Sequence, residues 1–426
     1  MIRVTSLKLS EHDINLLNGK KGKAVQIAMQ VIVKIAEIQK AEELMDISHV
    51  HIGGSIYTGE YSLQVIEQLQ KYGGEVNVPT TINAISVDSM RWEEQGIEPT
   101  FAKNAYRLAK AFEMMGAQPI FSCTPYTFPN GPEFGDDIVW AESNAIAYAN
   151  SVIGARTNRH GDFLDICAAI TGRAPKAGLH LDENRYGTIL IHVPEMDTQV
   201  IDPSFYTVLG YIVGKKSLNG IPVIKGLKGN PSLEELKAFS AAVSTTGPVG
   251  LYHMIGITPE AETEEKAFGG KEPDKTYHIT KEELHETWKR FSTNEEDSIE
   301  MIVMGSPHYT LTECKELADL VKGKKKHSNI DFLITTSSCV YSQAKEEGYI
   351  NVINEFGARF STDVCLCMLN EQMINESVEV IMTNSGKFAH YGPGLVNKKV
   401  QIATTEECVL VAIHGKVQHI LPKWLQ

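Results

Sequence analysis

Short runs rich in β-branched residues alternate along this chain with stretches whose apolar positions recur every three to four residues. That alternation predicts βαβ units and a largely parallel sheet, so the fold class is α/β. The helical period predicts helices over 22–45, 60–72, 101–115, 140–153, 232–245, 281–292, 310–322 and 340–356. Strands are expected at 75–79, 118–122, 188–193, 248–253, 299–304, 330–335, 358–362, 378–382 and 398–403. The stretch from Pro259 to Glu296 mixes charges of both signs with the pair Gly269-Gly270 and few apolar anchors. It is read as a connecting excursion over 261–297, which leaves an N-terminal α/β region, 1–260, and a C-terminal module, 298–426, whose regular alternation suggests a flavodoxin-like unit. The longest apolar stretch, Val25 to Ile38, is broken by Gln26, Gln30, Lys34 and Glu37, and so predicts an amphipathic helix, not a membrane span.

Composition narrows the choice of partner. With 426 residues, 42% hydrophobic and 22% charged, the chain can bury a large core without covalent staples. A formal charge of −13 argues against general binding to nucleic-acid backbones. Small anions remain compatible with it, because clusters such as Arg156, Arg159 and Arg173 offer guanidinium forks that match carboxylate or phosphate. Seven cysteines, an odd number, with no basic segment leading into an apolar run, point to a reducing cytoplasm.

The chemistry concentrates where strands end. Phe121-Ser122-Cys123-Thr124-Pro125, Met304-Gly305-Ser306-Pro307-His308, Thr336-Ser337-Ser338-Cys339 and Thr362-Asp363-Val364-Cys365-Leu366-Cys367 each close a predicted strand on sulfur or hydroxyl. In open α/β sheets ligands bind at the carboxyl ends of strands, so these groups can converge on a metal or iron–sulfur centre. Buried cysteine is also a common packing residue, and Cys167 and Cys408 fit that description. With no Cys-x-x-Cys pair a zinc ribbon is unsupported. Two more polar concentrations stand out. One runs from Trp140 through Glu142-Ser143-Asn144 and Asn150-Ser151 to Arg156 and Arg159, a small-residue helix whose Ser, Asn and Arg contribute little to packing. The other comprises Thr80-Thr81-Ile82-Asn83 with Asp88, and the loop Gly178-Leu179-His180 followed by Asp182, Glu183, Asn184 and Arg185.

Taken together, these motifs resemble the large, catalytic component of the aconitase X family. The likeness runs through His51-Ile52-Gly53-Gly54, Val78-Pro79-Thr80-Thr81-Ile82-Asn83, Cys123-Thr124-Pro125-Tyr126, Glu142-Ser143-Asn144-Ala145, Ala149-Asn150-Ser151, Gly154-Ala155-Arg156-Thr157-Asn158-Arg159, Gly178-Leu179-His180, Gly256-Ile257-Thr258-Pro259-Glu260, Pro307-His308 and Asn384-Ser385-Gly386-Lys387. The resemblance implies an aconitase-like core of α/β/α layers without the swivel domain. It also implies a hydro-lyase that uses an iron–sulfur cluster as Lewis acid on a poor leaving group, hydroxide. It makes Ser143, Asn144 and His180 catalytic candidates, and Thr80, Thr81, Asn83, Asn150, Ser151, Arg156, Arg159 and Lys387 substrate contacts. Cys123 and Cys365 match two cluster ligands. At the third, the family's Gly-Cys-Pro-His is replaced by Gly305-Ser306-Pro307-His308, and serine is a harder and less acidic donor than thiolate. Ser306 itself, Cys339, Cys367 or Cys314 is therefore open as the third ligand, and the cluster type is open with it. The missing swivel domain implies a separate small subunit as partner. Of two small hydroxy acids, the resemblance favours cis-3-hydroxy-L-proline, dehydrated to a pyrroline-2-carboxylate, over mevalonate 5-phosphate. An ammonium-bearing substrate needs an acidic partner such as Asp88 or Glu142. A cluster-free regulatory homologue that merely holds a small acid is the reading from another class.

Overall fold

The computed structural model describes residues 7–88, 90–292, 298–368 and 374–426, the side chain of Cys367 excepted. The first region carries β1 (Leu44–Asp46), β2 (His49–Ile52), β3 (Thr80–Ile82), β4 (Ile138–Trp140) and β5 (Arg173–Pro175). Strands β3-β2-β4 form a parallel sheet, and β1 pairs with β5 in an antiparallel ribbon. Helix Lys23–Gln39 buries Ala24, Ala28, Met29, Ile32 and Ala36, the three-to-four spacing of one face. With helices Glu60–Lys71, Pro99–Met114 and Leu164–Thr171 it closes a core around Val50 and Ile52 of β2. The helix predicted over 22–45 stops at Gln39 because Lys40 turns left-handed, φ 57°, to feed β1.

The second region is a four-stranded parallel sheet in the order β8-β7-β6-β9, from β6 (Ile189–His192), β7 (Pro222–Lys225), β8 (His253–Met254) and β9 (Lys275–His278). Within 261–297 the chain thus forms β9, paired to β6, and the helix Lys281–Arg290. Helix Pro203–Ser217, which the sequence pattern did not predict, is buried on nearly every side. A helix buried all round shows no polar stripe and so escapes a test of periodicity. It crosses helix Leu233–Thr246 closely, since a side chain at Gly210 would meet the backbone oxygen of Phe239 at 2.7 Å.

The third region comprises β10 (Met301–Met304), β11 (Asp331–Thr336), β12 (Arg359–Thr362), β13 (Val380–Thr383) and β14 (Lys399–Ile402), all parallel in the order β12-β11-β10-β13-β14. Counted along the chain this is 3-2-1-4-5, the doubly wound order, and not the 2-1-3-4-5 of a flavodoxin. The five strands and the helix Leu311–Val321 fall where the sequence places them, but the helix expected over 340–356 is two, Ser338–Glu346 and Tyr349–Phe356, and Gly386–Val396 and Thr405–His414 are helices that the sequence pattern did not predict. The side to which each crossover swings leaves no mark in hydrophobic periodicity. Met301 and Val303 face one core, which also holds Ile189, Ile191, Phe205 and Phe239 and so joins the second and third regions. Ile302 and Met304 face the opposite core, closed by Leu317, Ile353, Phe356 and Val411. The period of two places helices on both faces, the layering expected of a parallel sheet. Among the described residues no helix is long and apolar enough to cross a membrane.

One buried carboxyl ties fold to site. Asp165 accepts hydrogen bonds from the amides of Gly53 at 2.7 Å, Gly54 at 3.3 Å and Ile166 at 2.7 Å, and so fixes the turn that leaves β2. Burial outweighs these donors and pushes its pKa up to about 6. A raised carboxyl pKa contributes stability that is full below the unfolded value near 3.8 and lost as pH rises through 6. Asp165→Asn is therefore expected to flatten the fall in Tm between pH 5 and 7, as read by scanning calorimetry at both pH values. An unchanged slope would remove Asp165 as its source.

Candidate functional site

Because β2, β3 and β4 are parallel, their carboxyl ends share one edge, and that edge presents Gly53, Asn83 and Glu142. The third sheet brings its own carboxyl edge to the same place. Ser306 follows β10, Val364-Cys365 follow β12, and Ser385 to Lys387 follow β13. The order of the third sheet reverses between β10 and β13, and the crevice outside such a switch point is where open α/β sheets bind ligands. The two edges are stitched together by the amide of Ile85, which donates to the carbonyl of Asp363 at 2.8 Å.

Glu142 sits at the centre. Its Oε1 lies 3.0 Å from Lys387 Nζ and accepts from Asn144 Nδ2 at 2.9 Å, while Oε2 accepts from Asn83 Nδ2 at 3.3 Å. Burial alone would raise the pKa of Glu142, but Lys387 and the two amides outweigh it and hold the group near 2. The carboxylate is thus ionised at every physiological pH. Ser143 Oγ donates to Oε1 of Glu142 at 3.4 Å. Asn144 also donates to the carbonyl of Cys123 at 3.0 Å and accepts from Tyr126 Oη at 3.0 Å, which couples the carboxylate to the cysteine loop. Behind Asn83, His51 Nδ1 lies 2.8 Å from Thr81 Oγ1; full burial lowers the pKa of His51 to about 3, so the ring is neutral. Thr80 turns its hydroxyl back to the carbonyl of Val78 at 2.8 Å.

A second cluster adjoins this one. The amide of His308 donates to Cys123 Sγ at 3.3 Å, and its Nε2 donates to the carbonyl of Val364, next to Cys365, at 2.8 Å. Ser306 lies two residues upstream, where Gly305 at φ 104° lets the chain pass the backbone of Thr335; a Cβ at Gly305 would meet that carbonyl oxygen at 2.2 Å. The carbonyl of Ser306 accepts from Ser385 Oγ, but Ser306 Oγ is buried without a hydrogen-bond partner among the described residues. Among the described residues no three His, Cys, Asp or Glu side chains converge so as to hold a single metal ion. The loops of Cys123 and Cys365 and the Ser306 hydroxyl lie at this edge instead, and a buried hydroxyl left unpaired is costly unless something binds it. Cys339 lies half-buried on the first turn of helix Ser338–Glu346, beyond β11. Cys314 is buried inside helix Leu311–Val321 with its thiol pushed up to about 12 by burial, as befits a packing residue. The side chain of Cys367 lies outside the described residues.

Five of the sequence candidates sit elsewhere. His180 pairs through Nδ1 with Asp137 at 2.8 Å, and Asp137 precedes β4, so this pair occupies the amino end of the strand whose carboxyl end carries Glu142. Arg156 binds the carbonyl of His180 at 3.1 Å and Asp182 at 2.5 Å on that same far edge. Arg159 is exposed and caps the carbonyl of Gly247 at 3.2 Å. Asn150 is fully enclosed; its amide donates to the carbonyls of Thr157 and Gly250, both at 2.8 Å, and its oxygen accepts from Arg185 at 3.1 Å. Ser151 likewise accepts from the amide of Tyr252 at 2.8 Å. Polar residues in a small-residue helix serve here as staples between backbone segments, a role that composition cannot tell from ligand binding. Asn150→Ala leaves several buried groups unpaired at about 1–3 kcal/mol each. A clear loss of Tm with unchanged substrate KM is expected from calorimetry and steady-state kinetics; a selective rise in KM would return Asn150 to the site.

Sequence reasoning under-weighted Glu142 and His308. His308 was visible as a strand-end residue, but Glu142 fell inside the helix expected over 140–153, and only their packing partners show that Glu142 joins the two sheet edges and that His308 touches both cysteine loops.

Comparison with known proteins follows the same three regions. Sequence models described as the first, second and third domains of aconitase X match residues 6–183, 187–289 and 299–414. A cis-3-hydroxy-L-proline dehydratase of Pseudomonas aeruginosa is 43% identical over 419 residues, covering 98% of this chain and 72% of that protein. A phosphomevalonate dehydratase large subunit of Methanocaldococcus jannaschii is 35% identical over 407 residues, covering 94% of this chain and 98% of that one. The crystal structure of Thermococcus kodakaraensis aconitase X in its holo-form superposes with a TM-score of 0.84 at 33% identity, covering 95% of this chain and all of that one, 100%.

Proposed function

We propose, from the premise that this chain belongs to the aconitase X family and is a hydro-lyase, that it dehydrates cis-3-hydroxy-L-proline to a pyrroline-2-carboxylate. The observation that carries the choice of substrate is the Glu142–Lys387 pair at the switch point. A zwitterionic imino acid presents an ammonium and a carboxylate close together, and an opposed, pre-formed pair can exchange each of its charges for the complementary one on the ligand. Glu142 is held ionised and oriented by Asn83 and Asn144, so it meets the ring ammonium; Lys387 meets the carboxylate. A phosphate substrate asks for surplus positive charge, whereas Lys387 and Lys237 in this crevice are matched by Glu142, Glu234 and Glu313. The higher identity to the Pseudomonas enzyme than to the archaeal large subunit supports the same choice.

Dehydration breaks the C–H bond beside the carboxylate and the neighbouring C–O bond, and releases water. Cys123, Cys365 and Ser306 would hold an iron–sulfur cluster, which when bound supplies Lewis acidity for the departing hydroxyl. The chain's own part is to fix the substrate's two charges, to exclude water through the buried walls of Ser306, Ser385 and His308, and to keep Ser143 at Glu142 for hydrogen bonding to the ligand. The proposal includes a small swivel-domain subunit that completes the site, supported by the near-complete coverage of relatives named large subunits. The test is an anaerobic assay of the iron-loaded chain with each of the two hydroxy acids, with and without that subunit. Water loss from cis-3-hydroxy-L-proline only with the subunit present is the expected result. Turnover of mevalonate 5-phosphate alone would overturn the substrate, and full activity of the lone chain would overturn the partner.

A further inference from the structure

Among the described residues, Ser306 Oγ and His308 Nδ1 are buried in the crevice without hydrogen-bond partners. They differ in kind. A carbonyl oxygen only accepts, so the 2.8 Å contact from His308 Nε2 to Val364 requires the proton to be on Nε2. In the neutral ring Nδ1 then carries the lone pair, on a residue that is 1% exposed. The same residue's amide touches Cys123 Sγ at 3.3 Å, and its ring is anchored to the residue before Cys365. The backbone carbonyl is fastened from the second region by Lys237 Nζ at 3.0 Å, itself ion-paired with Glu313, so the ring has little freedom to turn away.

We propose that His308 Nδ1 is a further protein ligand of the cluster, supplying a nitrogen donor beside the weaker Ser306 hydroxyl. The assignment rests on the cluster reading given under the proposed function. Imidazole is a recognised replacement for thiolate on one iron of a two-iron centre, and the orienting bond from its other nitrogen to a carbonyl is the usual outer support of a metal-bound histidine. Donors to a cluster are spread over more than one iron, so they need not lie within reach of one point, which fits the failure of any three side chains to enclose a single ion among the described residues. The Nε2–H bond to Val364 places the second cysteine loop under the same ring. A change at His308 therefore alters a ligand and the seating of Cys365 together.

The experiment uses the full chain, with the small subunit if it is required, reconstituted anaerobically with iron and sulfide and poised in its paramagnetic state. Protein labelled with nitrogen-15 only in histidine is compared with unlabelled protein by pulsed electron paramagnetic resonance. The expected result is a strong, isotope-sensitive coupling to one imidazole nitrogen, absent from His308→Gln, whose amide can still donate to Val364. Iron affinity of that variant should fall by at least the ~10–100-fold that loss of an outer partner alone brings. Iron present with only weak amide couplings would overturn the assignment and leave the cluster reading standing. Protein that takes up no iron and sulfide would overturn both. A labelled wild-type spectrum without a strong imidazole coupling overturns the assignment even if His308→Gln does not fold, and His308→Asn then serves as the second variant that assigns a coupling where one is seen.

Discussion

Glu142→Gln is expected to lower kcat/KM for cis-3-hydroxy-L-proline by about 30- to 4,000-fold, the span of the roughly 2–5 kcal/mol lost when one partner of a buried, hydrogen-bonded charge pair is neutralised. The substitution keeps the shape but only one of the bonds from Asn83 and Asn144, since an amide nitrogen cannot accept, and it leaves Lys387 facing an amide and removes the ammonium's counter-ion. Its pH behaviour is specific. A depressed carboxyl pKa contributes stability that is present above the unfolded value near 4.5 and lost as pH falls through about 2. Between pH 5 and 9 Glu142 does not titrate, so the loss of kcat/KM should be the same across that range. Lys387→Met alone should be of similar severity, and the double variant should be less harmful than the sum, because each single change strands the other charge. Steady-state kinetics on the four proteins of the cycle checks this. Additive losses would show that Glu142 and Lys387 act separately, and a loss confined to low pH would assign the titration to Glu142 after all.

That centre was only half legible in the sequence. Strand ends rich in Cys, Ser and Asn could be found because parallel sheets gather their ligand groups at one edge, and Cys123, Ser306, Cys365, Asn83, Ser143, Asn144 and Lys387 are all gathered there. What the pattern does not record is which end of a strand a loop belongs to. Asp137 and Glu142 are five positions apart, yet they lie at opposite ends of β4, and with Asp137 go His180 and Arg156. Nor does it separate a polar residue that binds a ligand from one that binds backbone. Asn150 and Ser151 looked uncompensated until Gly250 and Tyr252, a hundred residues on, supplied the partners. The fold was lost where the period was lost. Helix Pro203–Ser217 is buried on nearly all sides, while β2 and β4 are too short to show an alternation.

Cys123→Ala is expected to remove both the iron and the turnover. The Cys123 sulfur sits under the amide of His308, and the carbonyl of the same residue is held by Asn144, in a loop with no slack, since Thr124 and Ser122 bond each other across the cysteine at 2.9 Å. Without the Lewis acid the hydroxyl leaves as hydroxide, and forfeiting several kcal/mol of charge stabilisation lowers kcat by on the order of 10³-fold or more. Cys408→Ala is the informative control, because Cys408 is fully buried in the core under helix Thr405–His414. It should cost about 1 kcal/mol of stability as a small cavity and leave iron per chain unchanged. Ser306→Cys works in the opposite direction: thiolate binds iron better than hydroxyl does, so iron retained after gel filtration in air should rise above that of the parent. Iron and sulfide analysis of the three variants against the parent separates ligation from packing. Equal iron in Cys123→Ala and Cys408→Ala would show that Cys123 is one more core thiol, and no gain in Ser306→Cys would place the donor that completes the set at another residue, with His308 the first to examine.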